Sequence, residues 1–111
     1  LGGMMITLDD QGGRETILVE MRDGRRITLK SGTSSVEVAD SSGNCVEIGK
    51  KGIVVKASAK ITISAGQIEV NAGSVSVNAG LSKFSGVVQC DTLISTSVVS
   101  ASYTPGAGNV L

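Results

Sequence analysis

The sequence predicts an all-β protein that forms an intertwined homotrimeric, triple-stranded β-helix needle. Three observations predict it: a seven-residue repeat in residues 61–80, alternation of apolar and polar residues in most segments, and an aromatic content of only 2%. Self-similarity at a fixed period is typical of repeat architectures. Alternation with period two places the apolar side chains of a strand on one face. The repeat therefore predicts a repetitive, strand-rich architecture for the chain.

Each unit of the repeat contains two β-branched residues that alternate with polar ones, followed by Ala-Gly and a variable residue. The three copies are ITISAGQ, IEVNAGS and VSVNAG. Because Gly tolerates the backbone conformations that corners require, each unit predicts a short strand that ends at a corner. The apolar members of the repeat, which we predict to form the trimer core, are Ile61, Ile63, Ile68, Val70, Val75 and Val77.

The apolar residues of the chain are mainly Val, Ile and Ala, so the predicted core is narrow. Val and Ile pack well on a pleated surface, which favours strands. A single copy of such a chain would leave strand edges and apolar surface uncovered. We therefore expect an obligate homo-oligomer, with three chains around the narrow core, in which folding and assembly are inseparable.

The segments before the repeat also alternate and predict further strands. Asp23-Gly24 lies between two alternating runs and predicts a hairpin, because Asp-Gly suits tight primed turns. The inward-facing pairs are about ten residues apart at first and seven apart in the repeat, so the winding tightens along the chain. The predicted strands cover residues 4–8, 16–21 and 25–29, and then the pairs Val36 with Val38, Val46 with Ile48, and Ile53 with Val55.

Charge divides the single continuous domain into three parts. Residues 1–60 form a charged base with longer strands and turns, and residues 61–99 form a regular shaft with few charges. Residues 100–111 are rich in turn-forming residues and predict a tip cap, which points away from the charged base. The predicted tip residues are Tyr103, Thr104, Pro105, Gly106, Ala107, Gly108, Asn109 and Val110.

The residues for catalysis are missing. The chain has no His, which is the commonest general base and a common metal ligand. Its serines therefore lack an activating base, and its regularly spaced glycines do not open a helix as those of a phosphate-binding loop do. We predict no enzymatic activity, no cofactor and no metal site. An ion on the three-fold axis is compatible with the sequence but is not predicted.

Charge, cysteine content and hydropathy give further expectations. The formal net charge is zero, which gives no electrostatic basis for binding nucleic acid. Cys45 and Cys90 lack metal-ligand spacing, and we expect two unlinked thiols in a reducing compartment. No apolar run approaches about 20 residues, so neither a signal peptide nor a membrane-spanning helix is predicted.

The order of charged base, uncharged repeat and cap resembles the C-terminal β-helix of contractile-tail spike proteins. These are the phage central spike and baseplate assembly protein V group and the related valine-glycine repeat tip proteins of type VI secretion. The resemblance rests on residues 23–29, 34–40, 43–48 and 52–53, together with the repeat.

The resemblance implies a trimeric needle that punctures the target cell envelope as part of a contractile tail or injection machine. The implied partners are two further copies of the chain, the target outer membrane, and a baseplate hub and tail tube bound through an N-terminal part missing here. A separate cap protein on the tip stays open. The implied location is the virion tail baseplate or the assembled injection machine, after synthesis in the cytoplasm. Some family tips hold a metal through a His-x-His pair, which this chain lacks.

Three alternatives remain. A trimeric adhesin or tail-fibre shaft would bind a cell-surface glycan, but sugar-stacking aromatics are limited to Tyr103 in the distal cap. A single-chain β-solenoid could polymerise into a filament, which the uneven charge distribution fits poorly. A polysaccharide lyase on a β-helical scaffold is the least favoured, because catalytic residues are missing.

Overall fold

The computed structural model describes residues 3–102, and within that range the protein is all-β, with six strands and no helix. The strands form one antiparallel sheet in which each strand pairs with the next along the chain. Their bounds are β1 (Met4–Asp9), β2 (Thr16–Met21), β3 (Arg26–Lys30), β4 (Ser35–Ala39), β5 (Cys45–Gly49) and β6 (Gly52–Lys56).

The predicted all-β class is confirmed, and each alternating run before the repeat forms a strand. The predicted Asp23-Gly24 hairpin joins β2 to β3, where the Met21 N–H donates to the Arg25 carbonyl at 2.8 Å. Gly24 has φ +97°, and a Cβ atom at this position would lie 2.9 Å from Cβ of Ser41. The turn therefore requires glycine for both its backbone conformation and its close neighbour.

The register of the sheet places apolar residues opposite one another across the strands. Ile17 lies opposite Leu29, Leu29 opposite Val36, Val36 opposite Ile48, and Ile48 opposite Ile53. Because side chains alternate between the two faces of a strand, this register brings the apolar residues of every strand to the same face. The other face carries most of the polar and charged residues.

A single chain contains almost no hydrophobic interior. Among the described residues, Ala39 is the one buried hydrophobic residue, with 8% of its surface exposed, and no large side chain is fully buried. One sheet without a second layer cannot enclose apolar side chains, because a domain core forms between at least two packed layers.

Residues 57–102 form no strand within one chain. The backbone bends at Gly66, Gly73 and Gly80, the three glycines that the repeat predicts as corners. Within the described residues of one chain, none of the short strands predicted between these corners joins the sheet, which consists of β1 to β6.

The contacts divide the chain into a unit of residues 1–68 and a unit of residues 69–111. The first unit contains the sheet and the beginning of the repeat, and the second contains the rest of the repeat and the distal segment. The predicted tip residues 103–110 lie outside the described residues.

Candidate functional site

The most distinctive surface of the first unit is the apolar side of the sheet, which we call the apolar face. Every strand contributes two or three residues to it, and the register places them in adjoining rows. Its members are Met4, Ile6, Leu8, Ile17, Val19, Met21, Ile27, Leu29, Val36, Val38, Val46, Ile48, Ile53 and Val55.

The apolar face is largely open to solvent in one chain. Val38, in the fourth of the six strands, is 47% exposed, and Met4 in the first strand is 70% exposed. An open groove of about 600 Å³ runs along this face and is lined by Val19, Ile27 and Val46, among others. Soluble monomers rarely expose contiguous apolar patches larger than a few hundred Å². The face therefore has the character of an interaction surface.

The opposite face of the sheet is polar and partly filled by its own side chains. Nε of Arg26 lies 3.2 Å from Oε1 of Glu37, which joins β3 to β4 by an ion pair. Thr28 lies between neighbouring strands on this face and is 9% exposed. Glu37 lies directly opposite Glu47, so a like-charge pair faces the solvent side of β4 and β5. This charge arrangement suits a hydrated exterior.

Two turns at the same end of the sheet are stabilised by aspartates. In the β2–β3 turn, Nε of Arg25 lies 2.8 Å from Oδ2 of Asp23, and the Arg25 backbone N–H also donates to Asp23. The side-chain hydrogen bond from Arg25, followed by the backbone hydrogen bond, lowers the pKa of the Asp23 carboxyl below its ordinary value.

The β4–β5 turn binds the chain that leaves the sheet. Oδ1 of Asp40 accepts from the backbone N–H groups of Ser42 and Asn44, both at 2.9 Å, and Oδ2 accepts from the Asn44 side chain at 2.8 Å. Oδ1 of Asn44 in turn accepts from the Ser58 N–H at 2.9 Å. The hydrogen bonds from Asn44, side chain first, lower the pKa of Asp40. The segment that follows β6 is thereby held against the β4–β5 turn.

The six residues predicted as the trimer core lie on the surface of the single chain. Their exposed fractions run from 54% at Ile61 to 70% at Ile63 and Val77. One chain does not bring them together into a core. The sequence predicts only these residues as the trimer core, whereas the structure adds the larger apolar face, which is indicated in the sequence by the alternation of apolar and polar residues in β1 to β6.

The chemistry of the described residues is sparse. Residues 3–102 contain no group of three or more His, Cys, Asp or Glu side chains placed to hold a metal ion. Cys45 and Cys90 are both free thiols. Over the same described range, no helix is long and apolar enough to cross a membrane. The surface that remains as a functional candidate is apolar and built for contact.

No protein-family model matches the sequence, and no curated protein matches it significantly.

Proposed function

We propose that the protein is a homotrimeric membrane-piercing spike, in which three copies enclose their apolar faces and wind their repeats together. The observation that supports this proposal most strongly is the continuous, solvent-exposed apolar face of β1 to β6. Three considerations support a spike: burial of the apolar face, the number of copies that can enclose it, and the response of the assembly to an axial load.

The first step is burial of the apolar face. Removing apolar surface from water contributes about 25 cal/mol per Å². Side chains such as Val38 and Ile53 gain this stabilisation only if another layer covers them. The polar face cannot be that layer, because it carries the Arg26–Glu37 ion pair and the uncompensated Glu47. The apolar faces of identical copies are the matching surfaces.

The second step is the number of copies. Closed cyclic assemblies are the usual form of soluble homo-oligomers. Two repeats side by side would still leave strand edges free, whereas three is the smallest number of strands that encloses an axis. The small β-branched pairs, such as Ile68 with Val70, suit a narrow axial layer. Three copies therefore satisfy the sheet and the repeat at once.

The third step is mechanical. In the proposed trimer the backbone hydrogen bonds of the wound repeats cross between chains, whereas those of β1 to β6 pair strands within one chain, so an axial load on the repeats is shared by many bonds. In residues 61–111, charged side chains are limited to Glu69, Lys83 and Asp91. Because charged groups are costly in the hydrocarbon of a bilayer, a distal section with few charges lowers the cost of entry.

Indentation of a supported bilayer tests the proposed function. Trimers are attached to a cantilever through an added N-terminal anchor, and the force at which the bilayer breaks is recorded. The wild type is expected to break the bilayer at a lower force than a bare cantilever. A variant with Ser76→Lys and Asn78→Lys, which adds charge to the outward positions of the repeat, should need a higher force, whereas the control Ser42→Lys in the β4–β5 turn should not.

Two results would overturn the proposal. A breaking force equal to that of the bare cantilever would remove the piercing function. Selective binding to immobilised cell-surface glycans, with no effect on bilayers, would instead support the alternative of an adhesin or tail-fibre shaft.

A further inference from the structure

The backbone changes its winding period within the second unit. Bends at Gly73 and Gly80 continue the seven-residue spacing of the repeat. After the bend at Gly86, the backbone bends at Asp91, Thr96 and Ala101, and these positions are five residues apart. The apolar residues Val88, Leu93 and Val98 have the same five-residue spacing in the sequence.

Exposure distinguishes two sets of apolar residues after Gly86. The residues two positions after the bends at Gly86, Asp91 and Thr96 are Val88, Leu93 and Val98, and their exposed fractions lie between 59% and 72%. This range overlaps that of the apolar residues of the seven-residue repeat. The neighbouring apolar residues Val87, Ile94 and Val99 are instead 93% to 98% exposed. The less exposed apolar residues of this segment therefore lie at a fixed position after each bend.

Two of the five-residue corners, at Thr96 and Ala101, have a local cause in the serines that precede them, whereas the corner at Asp91 follows Cys90. Oγ of Ser95 donates to the Ser97 carbonyl at 2.6 Å and accepts from the Ser97 N–H at 3.3 Å. Ser100 makes the same pair of hydrogen bonds with Ser102, five residues further on. Serine hydroxyls stabilise tight turns in this way, so the chain turns without the glycines of the preceding repeat.

We infer that residues 86–102 of three copies form a second, narrower section of the needle, with five residues between bends. Val88, Leu93 and Val98 face the axis in this section, and Ile94 and Val99 face outward. This inference rests on the proposed homotrimer. A shorter segment between bends gives this section a smaller cross-section than seven-residue winding would.

The covering partner of this section is a second and third copy of the same chain. No backbone–backbone hydrogen bond is found among the described residues 86–102, which are all exposed, so most of their backbone N–H and C=O groups can pair with a second chain. A partner that pairs along the whole winding must change from seven to five residues per bend at the same height. An identical chain meets that condition by symmetry.

Thiol accessibility tests the inference. In a background with Cys45→Ser and Cys90→Ser, single cysteines are placed by Leu93→Cys, Ile94→Cys and Gln89→Cys, and the native assembly is treated with a bulky maleimide. Five-residue winding predicts that Leu93→Cys reacts at least about 100-fold more slowly than in the unfolded chain, because labelling requires opening. The cysteines of Ile94→Cys and Gln89→Cys should react at close to the unfolded rate.

Continued seven-residue winding predicts a different result. The positions at seven-residue intervals after Val75 include residue 89, so Gln89→Cys would be protected and Leu93→Cys would be labelled. That pattern in a trimer of correct mass would overturn the five-residue section and leave the proposed function intact. Fast labelling of every variant in a monomer would overturn both. If Leu93→Cys does not assemble, Val88→Cys provides the second inward position, with the same expected protection.

Discussion

Replacement of Val38 by Asp is the perturbation that probes the apolar face most sharply. Val38 lies opposite Ile27 in β3 and Val46 in β5, in an inner strand of the sheet. The matched control is Val54→Asp in β6, because Val54 lies on the opposite face, across from Glu47. The two valines are similarly exposed in one chain, at 47% and 44%, so the variants differ in the face that they alter.

The expected cost of Val38→Asp follows from burial in the assembly. Full burial of a valine contributes about 1.5 to 3 kcal/mol, and roughly half of Val38 remains to be covered, so about 1 kcal/mol is lost per chain. Holding a buried Asp neutral at pH 7 requires a pKa rise of about 3 units, or about 4 kcal/mol. Over three chains the total is about 15 kcal/mol, which weakens trimer association by about 10 orders of magnitude.

The control should cost far less. An added carboxylate at Val54 meets Glu47 on a hydrated face, and like charges opposite each other cost about 0.2 to 1 kcal/mol. Native mass spectrometry and sedimentation at equal chain concentration should show trimers for Val54→Asp and dissociated or aggregated chains for Val38→Asp. Trimers of both variants, or the loss of both, would refute the assignment of the apolar face to the interior.

Three further outcomes are expected. Ile68→Asp should abolish assembly, because three carboxylates would meet in one dry layer, and soluble heat-resistant trimers of this variant would contradict the facing of the repeat. Gly24→Ala should lower stability by about 1 to 2 kcal/mol in thermal unfolding because of its positive φ, whereas Gly12→Ala, with open space around it, should change stability little. The Asp40 carboxyl, whose pKa is lowered by hydrogen bonds from Asn44, contributes stability that is present above the ordinary pKa of 3.8 and lost as pH falls through the lower folded value, so the melting temperature of Asp40→Asn should depend less on pH in that range than the wild type.

The strands and their faces could be predicted because alternation directly reports the two sides of a strand. Ile17, Val19 and Met21 alternate with Leu18 and Glu20, and the structure places the first three on the apolar face. The hairpin could also be predicted from the sequence, because Asp-Gly between two alternating runs is typical of a tight hairpin turn. These features depend on local sequence alone.

Other features depend on contacts that composition does not encode. The hydrogen bond from the Ser58 N–H to Asn44 joins residues 14 positions apart, and no sequence motif predicts it. The five-residue spacing of the distal bends was not predicted, because Ser95 and Ser100, and not glycine, precede the corners at Thr96 and Ala101 and make side-chain hydrogen bonds there. The repeat differs from the sheet in the opposite way, since alternation predicts strands there but the described chain forms none of them alone.

The mass of the native assembly is the most direct test of the proposal that three chains enclose the apolar face. Light scattering after size-exclusion chromatography should give three times the 11.2 kDa chain mass, and the same species should persist in detergent until it is boiled. A stable monomer, or an open-ended polymer whose mass grows with concentration, would contradict the trimeric spike.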